Sequence, residues 1–317
     1  MYPELYSFSF GDTTIPVTTF GVALTLSFLL FYWMLRRLGK KYDINTSFFS
    51  INLLSFFLGT FLVSRIMHIM LYSGMVTKSA FSLDYPVLSF FLMSDYYFSS
   101  GAALLGFFSV FWYHMRTRDH EDQEKTLDIT VISWIFGSIM AYFGAFLGGQ
   151  IYGVRSNSIF AVDYINNPIL AEFPRFPLGL VYMLCTLAIF SLVYIVRKLR
   201  PERGLAAGLG AVLWGLMWFI GEWWNDASSD NVSYLFGLLA RWKIINFNQI
   251  IALLLIVWGA WKLARIIPSP LSDWIIKIGK TVSDALGNVG GIFGKQAQKY
   301  YKKSKKYILS LQKRIKR

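Results

Sequence analysis

The chain has 317 residues and a formal net charge of +13; 55% of it is hydrophobic, 18% aromatic and only 15% charged. Soluble domains carry about 25% charged residues, so this chain cannot cover a water-facing surface of its size. Its apolar character and single cysteine also exclude a disordered chain and a disulfide scaffold. What remains is an integral membrane protein.

The start, MYPELYSFSF, lacks the basic residues of a cleavable signal peptide. The first apolar run is therefore expected to serve as both targeting signal and anchor. A span needs about 20 mainly apolar residues to cross roughly 30 Å of hydrocarbon. Seven stretches qualify: 16–35, 48–72, 97–115, 128–153, 176–196, 205–224 and 245–264. A shorter apolar piece at 86–93 reads as a re-entrant or interfacial segment. Each span is expected to be a helix, because a single segment in lipid must satisfy its own backbone. The predicted fold class is an all-α integral membrane protein of seven transmembrane helices.

Basic residues set the orientation. Arg36, Arg37, Lys40 and Lys41 follow the first span; Arg116, Arg118 and Lys125 follow the third; Arg197, Lys198, Arg200 and Arg203 follow the fifth. The alternate connections hold Lys78, Arg155, Arg175, Arg241 and Lys243. Eleven against five places the N-terminus outside and the C-terminus in the cytoplasm.

Residues 1–267 thus form a membrane domain, and 268–317 a second region. This tail holds twelve lysines and arginines against Asp273 and Asp284, so +10 of the +13 sits there. Leu271, Ile275, Ile278, Val282, Leu286, Val289 and Phe293 recur at helical spacing, with Gly287, Gly290, Gly291 and Gly294 as interruptions. The pattern predicts an amphipathic helix on the inner leaflet, with Lys299 to Arg317 on anionic headgroups; the alternative is a solvated basic tail. No nucleic-acid recognition motif accompanies the charge, so no nucleic acid is expected as a partner.

Ionisable groups at membrane depth point to function. Arg65 and His68 sit at i and i+3 of the second span and share a helix face. Glu222 closes the sixth span, Gln150 lies near the outer end of the fourth, and Asn248 and Gln249 open the seventh. A cavity joining an arginine, a histidine and a glutamate binds a lipid phosphate and supports proton transfer. The competing reading is an Arg65–Glu222 pair that fixes helix packing. In the fourth span, Gly144 to Gly148 and Gly149 to Gly153 are GxxxG spacings, read as close helix packing or as a broken helix facing a headgroup. There is no phosphate-binding loop, no Cys/His metal spacing and no nucleophile elbow, so neither metal nor cofactor is expected.

Several segments resemble prolipoprotein diacylglyceryl transferase. IPVTTFGVALTLSFLLFYW looks like that family's first span, SRIMHIMLY its second-span arginine segment with Arg65 at the arginine, and SSGAALLG its S-F-H-G-G-x-x-G stretch. FGAFLGGQIYG is similar to the G-R-x-G-N-F-x-N-x-E-x-x-G signature, MWFIGEWWND to F-R-x-x-x-E-x-x-R, and NFNQIIAL to M-G-Q-x-x-S. The resemblance covers roughly 1–265. Arg65, Glu222 and Gln249 match its polar set, whereas Gly101 stands at the histidine, Tyr142, Trp218 and Asn225 at arginines, Ala145 and Gly148 at asparagines, and Gln150 at the glutamate.

The resemblance implies a bacterial inner-membrane enzyme that transfers a diacylglyceryl group from phosphatidylglycerol to the lipobox cysteine of a preprolipoprotein, releasing glycerol phosphate. Glu222, His68 and Gln150 are then the candidates for acid–base work, with Arg65, Gln249 and Asn248 binding substrate. The alternative is a non-catalytic relative that binds lipid or a signal peptide, or a scaffold acting through the basic tail.

Overall fold

The computed structural model describes residues 4–10, 13–71, 100–164, 173–225 and 246–266. The apolar piece at 86–93 and the basic tail lie outside the described residues. The chain divides into two compact units after Lys262, and the helical bundle belongs to the first, Met1–Lys262.

The described chain is mostly helical. A strand pair, β1 (Glu4–Phe10) and β2 (Thr13–Thr18), comes first, followed by α1 (Thr19–Lys41), α2 (Ser47–Ile51), α3 (Leu53–Leu71) and α4 (Ser100–Met115). Then come α5 (His120–Gly148), α6 (Leu178–Leu199), α7 (Leu205–Gly221) with a 3-10 turn at Glu222–Trp224, and α8 (Phe247–Ile266). Among the described residues, five helices are long and apolar enough to cross a membrane: α1, α5, α6, α7 with its terminal turn, and α8. α4 has 16 residues, about 24 Å at 1.5 Å per residue, which is short of the hydrocarbon thickness.

The antiparallel strand pair corrects the expectation of an all-α chain. ELYSFSF alternates with period two, which suits a half-exposed strand, and Glu4 pairs with Thr18, Phe8 with Ile15 and Phe10 with Thr13. β2 takes residues 16–18 out of the expected first span, and the helix starts where the Thr18 hydroxyl accepts the Gly21 N–H at 3.1 Å. The helix then runs on through the basic cluster to Lys41. At the fourth span the chain is helical already from His120 and stops at Gly148.

That stop has a local cause. Gly149 takes the left-handed conformation at φ 71°, its N–H donates to Phe146 O at 3.3 Å, and the Gln150 N–H donates to Ala145 O at 2.9 Å. This is the Schellman arrangement. The Gly149–Gly153 spacing therefore straddles a helix end and is not a helix-packing motif. Gly144 does lie at a helix crossing: a Cβ there would fall 2.0 Å from the Ala23 Cβ of α1. Gly106 of α4 is as tight, since a Cβ would meet the Gly59 carbonyl oxygen of α3 at 2.4 Å. Gly144→Leu is expected to separate α1 from α5 and to cost about 1–3 kcal/mol; thermal unfolding in detergent at an unchanged midpoint would contradict this crossing.

Contacts between helix ends show the running order. At one end, Phe20 of α1 lies against Gly148 of α5, Gly179 of α6 against Phe146 and Ile151, and Gly101 of α4 against Asn248 of α8. At the other end, Arg197 of α6 covers the Tyr42 ring at 5.1 Å, Phe56 of α3 lies 5.9 Å from the His114 ring of α4, and Arg118 donates to Asn45 O at 3.3 Å. Lys262 of α8 reaches Glu124 of α5 there at 2.5 Å. Successive long helices thus run in alternating directions. α5 and α7 are the most buried of the five long helices, while α1, α6 and α8 expose Leu24, Phe28, Leu184, Ile195, Leu254 and Val257, as lipid-facing helices do.

Among the charged residues, Asp128 is wholly buried on α5. Its Oδ2 accepts the Gly204 N–H at 2.9 Å and its Oδ1 the Ala207 N–H at 2.8 Å. α7 has no side-chain cap of its own, so a carboxylate from another helix closes its first turn. Arg197 lies 3.5 Å from Asp128 and also donates to Pro201 O at 2.7 Å.

Candidate functional site

The end of the bundle opposite Asp128 gathers polar residues from the end of α7 and the start of α8, with Gly101 of α4 against Asn248. Glu222 opens the 3-10 turn after α7 and is 4% exposed. Its Oε2 accepts the Asn246 side-chain N–H at 2.8 Å, its Oε1 that of Asn248 at 3.3 Å, and Asn225 donates to both oxygens at 3.4 Å. Charge-assisted bonds of this kind stabilise by about 1.5–3 kcal/mol each, which makes Glu222 the tie between the end of α7 and the start of α8.

The first turn of α8 is built by its own sequence. The Asn246 Oδ1 accepts the Gln249 N–H at 2.8 Å, and the Gln249 Oε1 accepts the Asn246 N–H at 3.0 Å. This reciprocal pair is a capping box with asparagine and glutamine in the usual positions. Gln249 also donates to Phe219 O at 3.4 Å, so it joins α8 to the last turn of α7.

Aromatic side chains flank this polar group. Tyr142 of α5 and Tyr182 of α6 stand 5.2 Å apart between ring centroids, and both lie within electrostatic reach of Glu222. Trp218 stacks on Trp214 at 5.6 Å. Val63 and Met67 of α3 pack against the same apolar cluster as Tyr182, Trp218 and Phe247. Arg65, between them in sequence, is 2% exposed.

The structure thus brings Glu222, Asn248 and Gln249 together and buries Arg65 on α3, whose Val63 and Met67 pack against the adjoining apolar cluster. Gln150 lies at the end of α5 with its Oε1 over Gly148 and makes no hydrogen bond to the Glu222 group among the described residues. The side chain of His68 is outside the described residues. Sequence reasoning passed over Asn246 and Tyr182. The Asn-x-x-Gln spacing ahead of an apolar run was the available signal for Asn246; Tyr182 carried none.

Between α5 and α6 the chain folds over the same end as a small ribbon. Gly153 N–H donates to Phe176 O at 2.8 Å, Val154 N–H to Trp224 O at 2.9 Å, and Val162 and Arg175 exchange backbone bonds at 2.9 and 3.1 Å. Arg175 is buried against the Tyr152 ring at 5.0 Å. Burial pushes the Tyr164 hydroxyl up to about 12, against the opposing charge of Arg175.

The family model of prolipoprotein diacylglyceryl transferase matches residues 7–265. The chain belongs to the prolipoprotein diacylglyceryl transferase family. No curated protein matched the chain. Membership makes it a multi-pass membrane protein with a transferase-like function in lipoprotein biosynthesis at the level of the family. Around this polar cluster Gly101 lies against Asn248, Tyr142 beside Tyr182, and Asn225 on the Glu222 carboxylate itself.

Proposed function

We propose that this protein transfers the diacylglyceryl group of phosphatidylglycerol to the lipobox cysteine of a preprolipoprotein in the bacterial inner membrane. The observation that carries the reading is Arg65, a cation almost wholly buried on α3, whose Val63 and Met67 pack against the apolar cluster of Tyr182, Trp218 and Phe247. In the reaction the cysteine sulfur attacks the glyceryl carbon that bears the phosphoester. A C–S bond forms, the C–O bond breaks, glycerol phosphate leaves and the thiol proton passes to a base. Arg65 holds the phosphate, where charge builds up as the bond breaks. His68, three residues further along the same helix, is the proton acceptor. Asn248 and Gln249 order the substrate side of α8, and Gln150 contributes an amide at the end of α5. Glu222 fixes these elements in place through its asparagine bonds.

Seven passes, with the N-terminus outside, accompany this reading. Support comes from the alternating running order and from the concentration of Arg36, Arg37, Lys40, Lys41, Arg118 and Arg197 at one end. The tail from 268 to 317 is then a cytoplasmic basic region held at anionic lipid.

One observation favours a second reading, a relative that holds lipid or a signal peptide without transfer. Both Glu222 oxygens are engaged by amides, and no basic side chain occupies the positions of Gly101, Tyr142, Trp218 and Asn225. Arg65→Ala separates the readings. The transferase reading predicts a fall of about 10- to 100-fold in transfer, the equivalent of one charge-assisted contact, with a matching loss of phosphatidylglycerol binding by calorimetry. Loss of binding in a protein whose unaltered form transfers nothing supports the second reading. Transfer and binding both unchanged by the substitution would overturn the role of Arg65.

A further inference from the structure

The ribbon between α5 and α6 carries apolar side chains that the Glu222 group does not use. Ile159 is 92% exposed and Phe160 67% exposed. They sit side by side on a turn that is held locally: the Ser158 N–H donates to Ser156 Oγ at 3.2 Å, and the Ala161 N–H to Ser158 O at 2.9 Å. A turn fixed in this way presents two large apolar groups outward, and nothing among the described residues covers them. Exposure of this kind to water is unfavourable and marks a surface that meets something else.

Position within the fold says what covers them. The ribbon is rooted at the end of α5 and the start of α6, so both roots lie at the same end of the bundle as Trp223 and Trp224, which are 61% and 48% exposed. Val154 is bonded to Trp224 itself. Paired tryptophans at the end of an apolar helix mark the headgroup level of a bilayer. Close to the turn, the Arg155 guanidinium lies 4.2 Å over the Phe173 ring, which puts a cation beside exposed apolar surface, the combination that seats a peripheral segment on anionic lipid.

We infer that the Ile159–Phe160 turn dips into the bilayer leaflet next to the bundle, with Arg155 at the phosphates, so that the ribbon is a membrane-seated cover over the site end of the protein. The inference is independent of whether transfer occurs.

Single-cysteine proteins made in a Cys185→Ser background test it. Phe160→Cys and Asn157→Cys, each labelled with an environment-sensitive fluorophore, are reconstituted in nanodiscs of phosphatidylglycerol and phosphatidylcholine. A nitroxide near the top of the acyl chain is expected to quench the label at 160 at least about two-fold more than the label at 157, and aqueous iodide is expected to show the reverse preference. Equal quenching by iodide at both sites, with no lipid quenching, overturns the inference and leaves a protein partner as the occupant. The unsubstituted protein provides a second readout: photoactivated lipid is expected to crosslink within residues 156–161, and crosslinks confined to the spans would contradict the seat.

Discussion

Asp128→Ala is expected to destabilise the protein by about 3–5 kcal/mol, the usual cost of removing one partner of a buried pair. Two effects combine. The N–H groups of Gly204 and Ala207 lose their acceptor, leaving the first turn of α7 open in a place water does not reach. Arg197 keeps its bonds to Pro201 and Glu202 but loses its counter-charge while only 5% exposed. Asp128→Asn is expected to cost less, because one amide oxygen still serves one of the two N–H groups. The double change Asp128→Ala with Arg197→Met is expected to cost less than the sum of the single changes, since it leaves no uncompensated charge. Denaturant unfolding in detergent measures all of these, and a loss below about 1 kcal/mol for Asp128→Ala would show that the carboxylate is not a lock.

Glu222→Ala is expected to cost about 3–6 kcal/mol, from two charge-assisted bonds at about 1.5–3 kcal/mol each. The side-chain amides of Asn246 and Asn248 lose their acceptor, and α7 loses its tie to α8. A swap distinguishes this positioning role from a chemical one. Asn246→Asp alone sets a second carboxylate at the 2.8 Å contact and should be strongly destabilising. Combined with Glu222→Gln it restores a donor facing an acceptor, and aspartate still caps α8. Recovery of most of the unfolding free energy by Glu222→Gln with Asn246→Asp is the expected result. If stability recovers and transfer does not, Glu222 also takes part in the chemistry. If stability fails to recover, the Glu222–Asn246 bond is not what joins these helix ends.

Much of this architecture was legible in the residues, for a physical reason. Long apolar runs have few ways to satisfy their backbone in lipid, so α1, α5, α6, α7 and α8 follow from hydropathy alone. The polar exceptions inside those runs were equally visible, and Glu222, Asn248 and Gln249 do meet. Three features were not legible. Residues 4–10 and 13–18 form strands because alternation outweighs apolar content there, and a hydropathy window averages alternation away. Asp128 reads in sequence as the soft edge of a span; only the approach of α7, whose start has no cap of its own, turns it into a buried anchor. The Gly149–Gly153 spacing looked like a packing motif, yet its first glycine ends the helix, since spacing alone does not reveal where a left-handed residue falls. The Gly144–Gly148 spacing is of the other kind, with both glycines against α1.

Carboxylate, capping box and the glycines that let α3 approach α4 are structural and depend on distances of a few tenths of an ångström. On the transferase reading the chemistry depends on which cations reach the phosphate, and Arg65 is the buried cation of α3. On the proposed transferase reading Arg65 is the cation assigned to the phosphate, and that invites a direct trial.

The trial is diacylglyceryl transfer itself. Purified protein in phosphatidylglycerol micelles, mixed with a lipobox peptide, is expected to give a thioether-linked diacylglyceryl mass on the peptide cysteine, formed about 10- to 100-fold more slowly when Arg65 is replaced by alanine. An unmodified peptide, in a run where an active transferase of the family modifies it under the same conditions, would contradict the transferase reading and leave a lipid-binding relative in its place.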